Sequence, residues 1–218
     1  MKKRSTALIL IAMLLFSLLP VSVFAADSNV PEGYIEIEDA MDLYFIRNDL
    51  SGKFMLTADI DLTDALSEHG DLYNEAGWIA IGYDSNSSQS FTGVIDGNGH
   101  TISGLVSDGP GAGLVCSNAG TIRDLTVASG SVSSDAQYVG AICGTNTGVI
   151  SGCVNFASVT VTNGKACAGG IAGMNNGSSA LIEKCGNYGN VSVVSTAESG
   201  AVYVGGIAGS CSGSNIFQ

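Results

Sequence analysis

The chain has 218 residues, 45% of them hydrophobic and only 13% charged, with 30 Gly, 3 Pro and a formal net charge of -12. Low charge with positive mean hydropathy excludes a disordered chain, and glycine without a three-residue period excludes collagen. So acidic a balance also excludes nucleic acid and anionic lipid as partners, because phosphate contacts need Lys and Arg.

Lys2, Lys3 and Arg4 form a basic start, Leu8 to Leu19 an apolar run, and Pro20 a break. Val23-Phe24-Ala25, or Phe24-Ala25-Ala26 one residue later, reads as a cleavage site. Residues 1–26 are therefore expected to be a secretory signal peptide. The competing reading, an uncleaved anchor, has too short an apolar run: a bilayer span needs roughly 20 residues. The mature protein is expected to be secreted or at the cell surface, with no membrane span left after cleavage. No cysteine stands at the cleavage point, so a lipoprotein anchor is not indicated.

Processing leaves five basic residues against twenty acids, sixteen of which fall between Asp27 and Asp108. That distribution reads as a solvated acidic exterior, with a cation site as the alternative. Residues 27–35 read as a flexible start and 36–218 as one repeat domain. Ile37, Ala40, Met41, Tyr44 and Phe45 recur at helical spacing, so one amphipathic helix is expected before Asp49-Leu50-Ser51-Gly52, capping the open end of a stack. Lys53–Leu56 and 60–62 read as short strands, 64–77 as a polar insertion, and Trp78–Gly82 and Phe91–Ile95 as further strands. Asp96-Gly97-Asn98-Gly99 is a strong turn signal, because Asn and Gly accept positive φ. His100 to Leu105 follows as two extended pieces.

From residue 112 the chain repeats itself. Ala112–Gly120 (AGLVCSNAG), Gly140–Gly148 (GAICGTNTG), Gly169–Gly177 (GGIAGMNNG) and Gly205–Gly213 (GGIAGSCSG) align without a gap, in steps of 28, 29 and 36. Asn118, Asn146 and Asn175 share the seventh place, which Cys211 takes in the last copy. A fixed period in this range marks stacked repeats. A hairpin-built sandwich would want longer alternating strands. Strands of three to five residues that bend at Gly or Asn suit a right-handed parallel β-helix, an all-β solenoid, with the three Asn forming an amide ladder at one bend. Ile142 is expected to point inward, rather than Ala141 and Cys143.

Six cysteines in an exported chain invite a disulfide reading. The alignment argues for free thiols instead: Cys143 shares a slot with Val115 and Ala172, and Cys153 and Cys185 share that of Leu125. Small buried slots suit a free Cys. The stacked pair Cys153 and Cys185 is the one that could bridge.

These repeats resemble the GLUG repeat of bacterial surface proteins. The likeness rests on Gly-Gly-Ile-Ala-Gly-x-Asn-x-Gly followed by Ile, Cys and Asn-x-Gly-x-Val, on Trp78–Gly82, on Phe91 to Leu105, and on Met55 to Leu62. It covers about residues 36–218. It implies a pectin-lyase-like right-handed β-helix on exported proteins of gut or mucosal bacteria, where such repeats flank other modules, including those of immunoglobulin A-cleaving metalloproteases and adhesins. Two departures stand out: Cys211 replaces the ladder Asn, and the last repeat is incomplete. One part of a longer surface protein, or a truncated product, is therefore expected.

Metalloprotease chemistry needs H-E-x-x-H, and the two histidines, His69 and His100, do not supply it. A carbohydrate-active β-helix enzyme, a polysaccharide lyase or hydrolase, is the alternative reading, with Asp59, Asp61, Asp96, His100, Arg123 and Asp124 as its candidates. Hydrolysis needs two carboxylates placed as acid and base. Asp59 and Asp61, two apart on one strand face, suit that; Asp96 and His100 have a simpler role at a turn. Asp84-Ser85-Asn86 offers oxygen ligands but lacks the calcium-loop pattern. Trp78, Tyr138, Tyr188 and Tyr203 are candidate aromatic platforms for glycans or host surface proteins. The expectation is an adhesion or spacer element with no catalytic residue, cofactor or metal.

Overall fold

The computed structural model describes residues 30–86, 88–109, 111, 113–162, 164–194 and 200–217. The expected signal peptide and residues 27–29 lie outside the described residues.

The described chain is nearly all β, in short strands that meet in parallel. Take one repeat: β8 (Thr121–Arg123), β9 (Thr126–Val127), β10 (Gly130–Ser134), β11 (Tyr138–Gly140) and β12 (Cys143–Asn146). The next repeat answers strand for strand with β13 (Val149–Ser151), β14 (Val154–Asn155), β15 (Ser158–Val161), β16 (Cys167–Gly169) and β17 (Ala172–Asn176). A third set follows: β18 (Leu181–Glu183), β19 (Gly186–Asn187), β20 (Val191–Val193), β21 (Tyr203–Gly205) and β22 (Ala208–Ser212). Each strand pairs in parallel with its counterpart one repeat away, so five sheets each gain one strand per repeat. No pair of these strands forms a hairpin, the feature a sandwich would need.

The earlier half enters the same sheets. β2 (Lys53–Leu56) and β4 (Val94–Asp96) extend the first sheet, and β3 (Ile60–Asp61) and β5 (Thr101–Ser103) extend the sheet of β9. Trp78–Gly82, expected as a strand, makes only an isolated parallel bridge at Ile81 to Val115, and Phe91 another to Asn118. Trp78 is buried, and its indole N–H donates to the Leu114 carbonyl at 3.1 Å.

The expected helix is shorter than its periodicity implied. Ile37 belongs to a strand, β1 (Ile35–Ile37), in register with Phe54–Leu56, and the helix α1 spans Ala40–Phe45. Asp39 sets that boundary: its carboxylate accepts the amides of Met41 and Asp42 at 2.8 and 2.9 Å, which fixes it as the N-cap. The ordered layers thus begin at Ile35, one residue inside the expected flexible start. Leu43 in the helix and Ile46 just after it are fully buried, so this segment closes the core at one end.

Inside the stack, equal residues lie over equal residues. Ile95, Ile122, Ile150 and Ile182 form one fully buried column, and Val132 and Val159 another. The choice between Ile142 and its neighbours does not arise, because Ala141, Ile142 and Cys143 are all fully buried. They turn a corner where one sheet folds back on the next. A Cβ on Gly173 would lie 2.3 Å from the Val139 nitrogen, and one on Gly209 2.6 Å from the Ala168 nitrogen. In the last two copies the fifth place of the nonamer therefore faces the backbone of a strand one repeat earlier. Cys116 stands there in the first copy, where the sheet of β11 has no strand to oppose it; Gly144, in the second, meets the Cys116 and Tyr138 carbonyls instead.

The amide ladder is present. The Asn118 side-chain amide donates to Asn146 Oδ1 at 2.8 Å, and Asn146 donates to Asn175 Oδ1 at 2.8 Å, all three fully buried. A second ladder joins Asn155 to Asn187 at 2.9 Å. Its signal was on the page, in the echo of Asn155-Phe156 by Asn187-Tyr188.

Candidate functional site

Most of the residues named for carbohydrate chemistry meet at one corner, where the chain leaves the first sheet for the sheet of β9. The corner needs left-handed backbone, and Asn98, Asp124, Gly152 and Lys184 supply it with φ of 50°, 50°, 62° and 52°. Asn and Asp tolerate that conformation better than most residues, and Gly best.

Asp59 accepts the Thr101 amide at 2.8 Å and meets His100 Nδ1 at 3.3 Å. The Thr101 amide, helped by His100, holds its carboxyl below the ordinary carboxylate range. Asp61 is lowered in the same sense by Thr63, whose amide it accepts at 2.9 Å. The two carboxylates flank buried Ile60 and both face solvent, as their spacing implied, but each is occupied by backbone of its own corner.

Asp96 is the buried member, 7% exposed at its side chain. It accepts the Asn98 amide at 2.9 Å, and its other oxygen takes Arg123 Nε at 2.8 Å and an Arg123 terminal nitrogen at 2.6 Å. The same guanidinium reaches the Tyr34 hydroxyl at 3.3 Å, and Asp96 raises its pKa. Asp96 and Arg123 face each other in strand register, so this pair ties two adjacent layers together. Asp124 is the neighbour of Arg123 in the chain, but the partner of Arg123 is Asp96. Register decides this, since it sets residues 27 apart side by side.

Chemically, the corner binds its own chain. Inverting or retaining hydrolysis needs a carboxyl that stays protonated near neutral pH. Where a carboxyl shift is resolved among the described residues (Asp49, Asp59 and Asp61), it is downward. The sign has a consequence. Carboxyls depressed in the folded state stabilise it above their unfolded value of about 3.9, and that contribution is lost as pH falls through the lower folded values. Thermal melts should therefore show a lower Tm at pH 3 than at pH 6. Asp59→Asn should shrink that difference slightly, because the group is exposed; an unchanged difference would remove Asp59 from the account.

The aromatic candidates scatter. Trp78 is core. Tyr188 is 73% exposed and stacks on Phe156, with ring centroids 5.0 Å apart and planes 14° apart. Tyr138 and Tyr203 lie in one column on either side of Cys167, at a hollow that Met174 and Ser210 also line. Arg47 was missed. It stands over the Tyr44 ring at 3.8 Å and donates to the Ile79 carbonyl at 3.0 Å, pinning the capping segment to the loop before Ile81. One of two bases among sixteen acids was the only signal for it.

In the Asp84 loop the carboxylate accepts the Asn86 amide at 2.8 Å, closing a local turn. Among the described residues no three His, Cys, Asp or Glu side chains are grouped to hold a metal ion, and no helix is long and apolar enough to cross a membrane. All six cysteines are free thiols.

No protein-family model matches the chain. It is similar to Halomucin from Haloquadratum walsbyi, 31% identical over 165 residues, which is 72% of this chain and 2% of Halomucin. The chain therefore spans a small fraction of that relative. Among solved structures it is similar to a candidate immunoglobulin A1 protease from Bacteroides ovatus, with a TM-score of 0.51 and 20% identity over 83% of this chain and 66% of the other. At that identity the likeness is one of fold alone.

Proposed function

We propose that this chain is a non-enzymatic repeat module of an exported surface protein, a right-handed parallel β-helix of the GLUG type that serves adhesion or spacing. The observation that carries the reading is the in-register stacking of like on like, repeat after repeat. Such a stack holds each layer by its neighbours and gives length and rigidity without requiring a pocket. The occupied carboxylates of the charged corner support a structural use of that corner. The likeness to a short stretch of a very long protein supports a module among others. Glycans or host surface proteins are the partners this reading implies.

The test is uronic-acid release from a panel of acidic polysaccharides, with and without calcium, beside binding to mucin and cell-wall glycans. We expect no release. Binding would favour adhesion, and its absence a spacer. Release that disappears in Asp59→Asn or Asp61→Asn protein would overturn the proposal in favour of a lyase or hydrolase.

A further inference from the structure

Cys153 and Cys185 occupy the same place in consecutive repeats. Ser151 pairs with Glu183 before them and Val154 with Gly186 after them, so the two cysteines are level on adjacent strands. The bracket is tight: Gly152 donates its amide to the Glu183 carbonyl at 3.1 Å, and Gly186 to the Cys153 carbonyl at 2.9 Å. Both side chains take the same pose. Cys153 Sγ lies 3.5 Å from the Ser151 carbonyl and 3.8 Å from that of Ile122. Cys185 Sγ lies 3.2 and 3.8 Å from the equivalent carbonyls of Glu183 and Ile150. Neighbouring strands are roughly 4.8 Å apart, inside the range of about 4.4–6.8 Å that Cα atoms of a disulfide span.

The two thiols differ in character. Cys153 is fully buried, whereas Cys185 is only partly so. Their mutual interaction, with burial, pushes the Cys153 thiol up, and the same interaction lowers that of Cys185. One is thus a reachable nucleophile and the other a resolving thiol behind it. Leu125 closes the column on the near side, so there is no third sulfur to compete. The other buried cysteines have no sulfur beside them in their columns: Cys143 lies between Val115 and Ala172, and Cys167 between Tyr138 and Tyr203.

We infer that Cys153 and Cys185 are a thiol pair built to close into a disulfide between layers when the chain meets a small-molecule disulfide. The Cys185 thiolate attacks one sulfur of the reagent, forming a mixed disulfide and releasing one small thiol. Cys153 then loses its proton and attacks the Cys185 sulfur, and the second small thiol leaves. The protein gives up two electrons and two protons; the reagent takes them. The bond would clamp the last complete layer to the one before it, closing a loop of about 32 residues. The step needs only the dithiol and its oxidant, so it stands apart from the surface-module reading.

The experiment treats the full chain with oxidised glutathione, blocks remaining thiols with N-ethylmaleimide, and reads intact mass and peptide maps. With the thiols blocked after unfolding, the expected result is a cross-linked peptide joining Cys153 to Cys185, neither of them alkylated, and a Tm raised by roughly 5 °C. Cys153→Ser protein should stop at glutathione held on Cys185; Cys185→Ser should form no cross-link through Cys153. Six alkylated thiols, a cross-link through a different pair, or glutathione left on Cys185 of the unsubstituted protein would each overturn the proposal.

Discussion

Asn146→Ala is expected to lower the stability of the protein by about 4 kcal/mol, read as a shift of the urea midpoint at unchanged slope. Asn146 is fully buried and is the middle member of the ladder. It accepts from Asn118, donates to Asn175, and also lies within 3.2 and 3.3 Å of the Gly148 and Leu181 carbonyls. Truncation leaves a donor on Asn118 and an acceptor on Asn175 without their best partners. Each such orphan costs about 1–3 kcal/mol, and the lost side chain adds a small cavity. Asn98→Ala is the comparison. Its residue is exposed and its side chain makes one longer bond, 3.3 Å to the Leu56 carbonyl, while Ala also tolerates its φ of 50° less well, so it should cost about 2 kcal/mol, half as much. Equal losses at the two positions would mean that burial of the amide chain is not what matters.

Gly173→Ala is expected to cost at least 3 kcal/mol, enough to reduce soluble yield in a protein of ordinary stability. The new methyl would sit 2.3 Å from the Val139 nitrogen and 2.6 Å from the Tyr138 carbonyl carbon. Both are backbone atoms inside paired strands, so the relief must come from separating two sheets rather than from turning a side chain. Gly206→Ala is the control within the same motif. Nothing lies within 4 Å of a Cβ there, and its φ is not positive, so it should be neutral. If the two substitutions behave alike in thermal melts, the close approach of sheets does not explain the glycine at the fifth place.

Much of this architecture was legible because a stack obeys local rules many times over. The steps of 28 and 29 residues between nonamers reappear as strand registers, Cys143 over Val115 and Ala172 over Cys143. A ladder of Asn could be read because buried amides at one offset satisfy each other. Where a residue's partner lies outside the repeat, the reading failed. Ile37 carries helical spacing, yet pairing with Leu56 claims it for a strand, and no periodicity announces that competition. The charged corner was legible as a set of candidates but not as a set of bonds. Asp59 with His100, and Asp96 with Arg123, are 41 and 27 residues apart, and only the register brings them together. Ala141, Ile142 and Cys143 defied the alternation rule because a corner enclosed by two sheets has no outer side.

The last step between nonamers, 36 residues, has a practical side. Its seven extra residues enter at two places only, three of them between Asn175 and Leu181 and four between Val193 and Tyr203, while the pairings on either side keep their partners. Length is thus negotiable at these two connections, while the strands between them keep theirs. A foreign peptide or a fluorescent reporter spliced into either connection would be carried as cargo, and relatives that differ in size should differ in such connections.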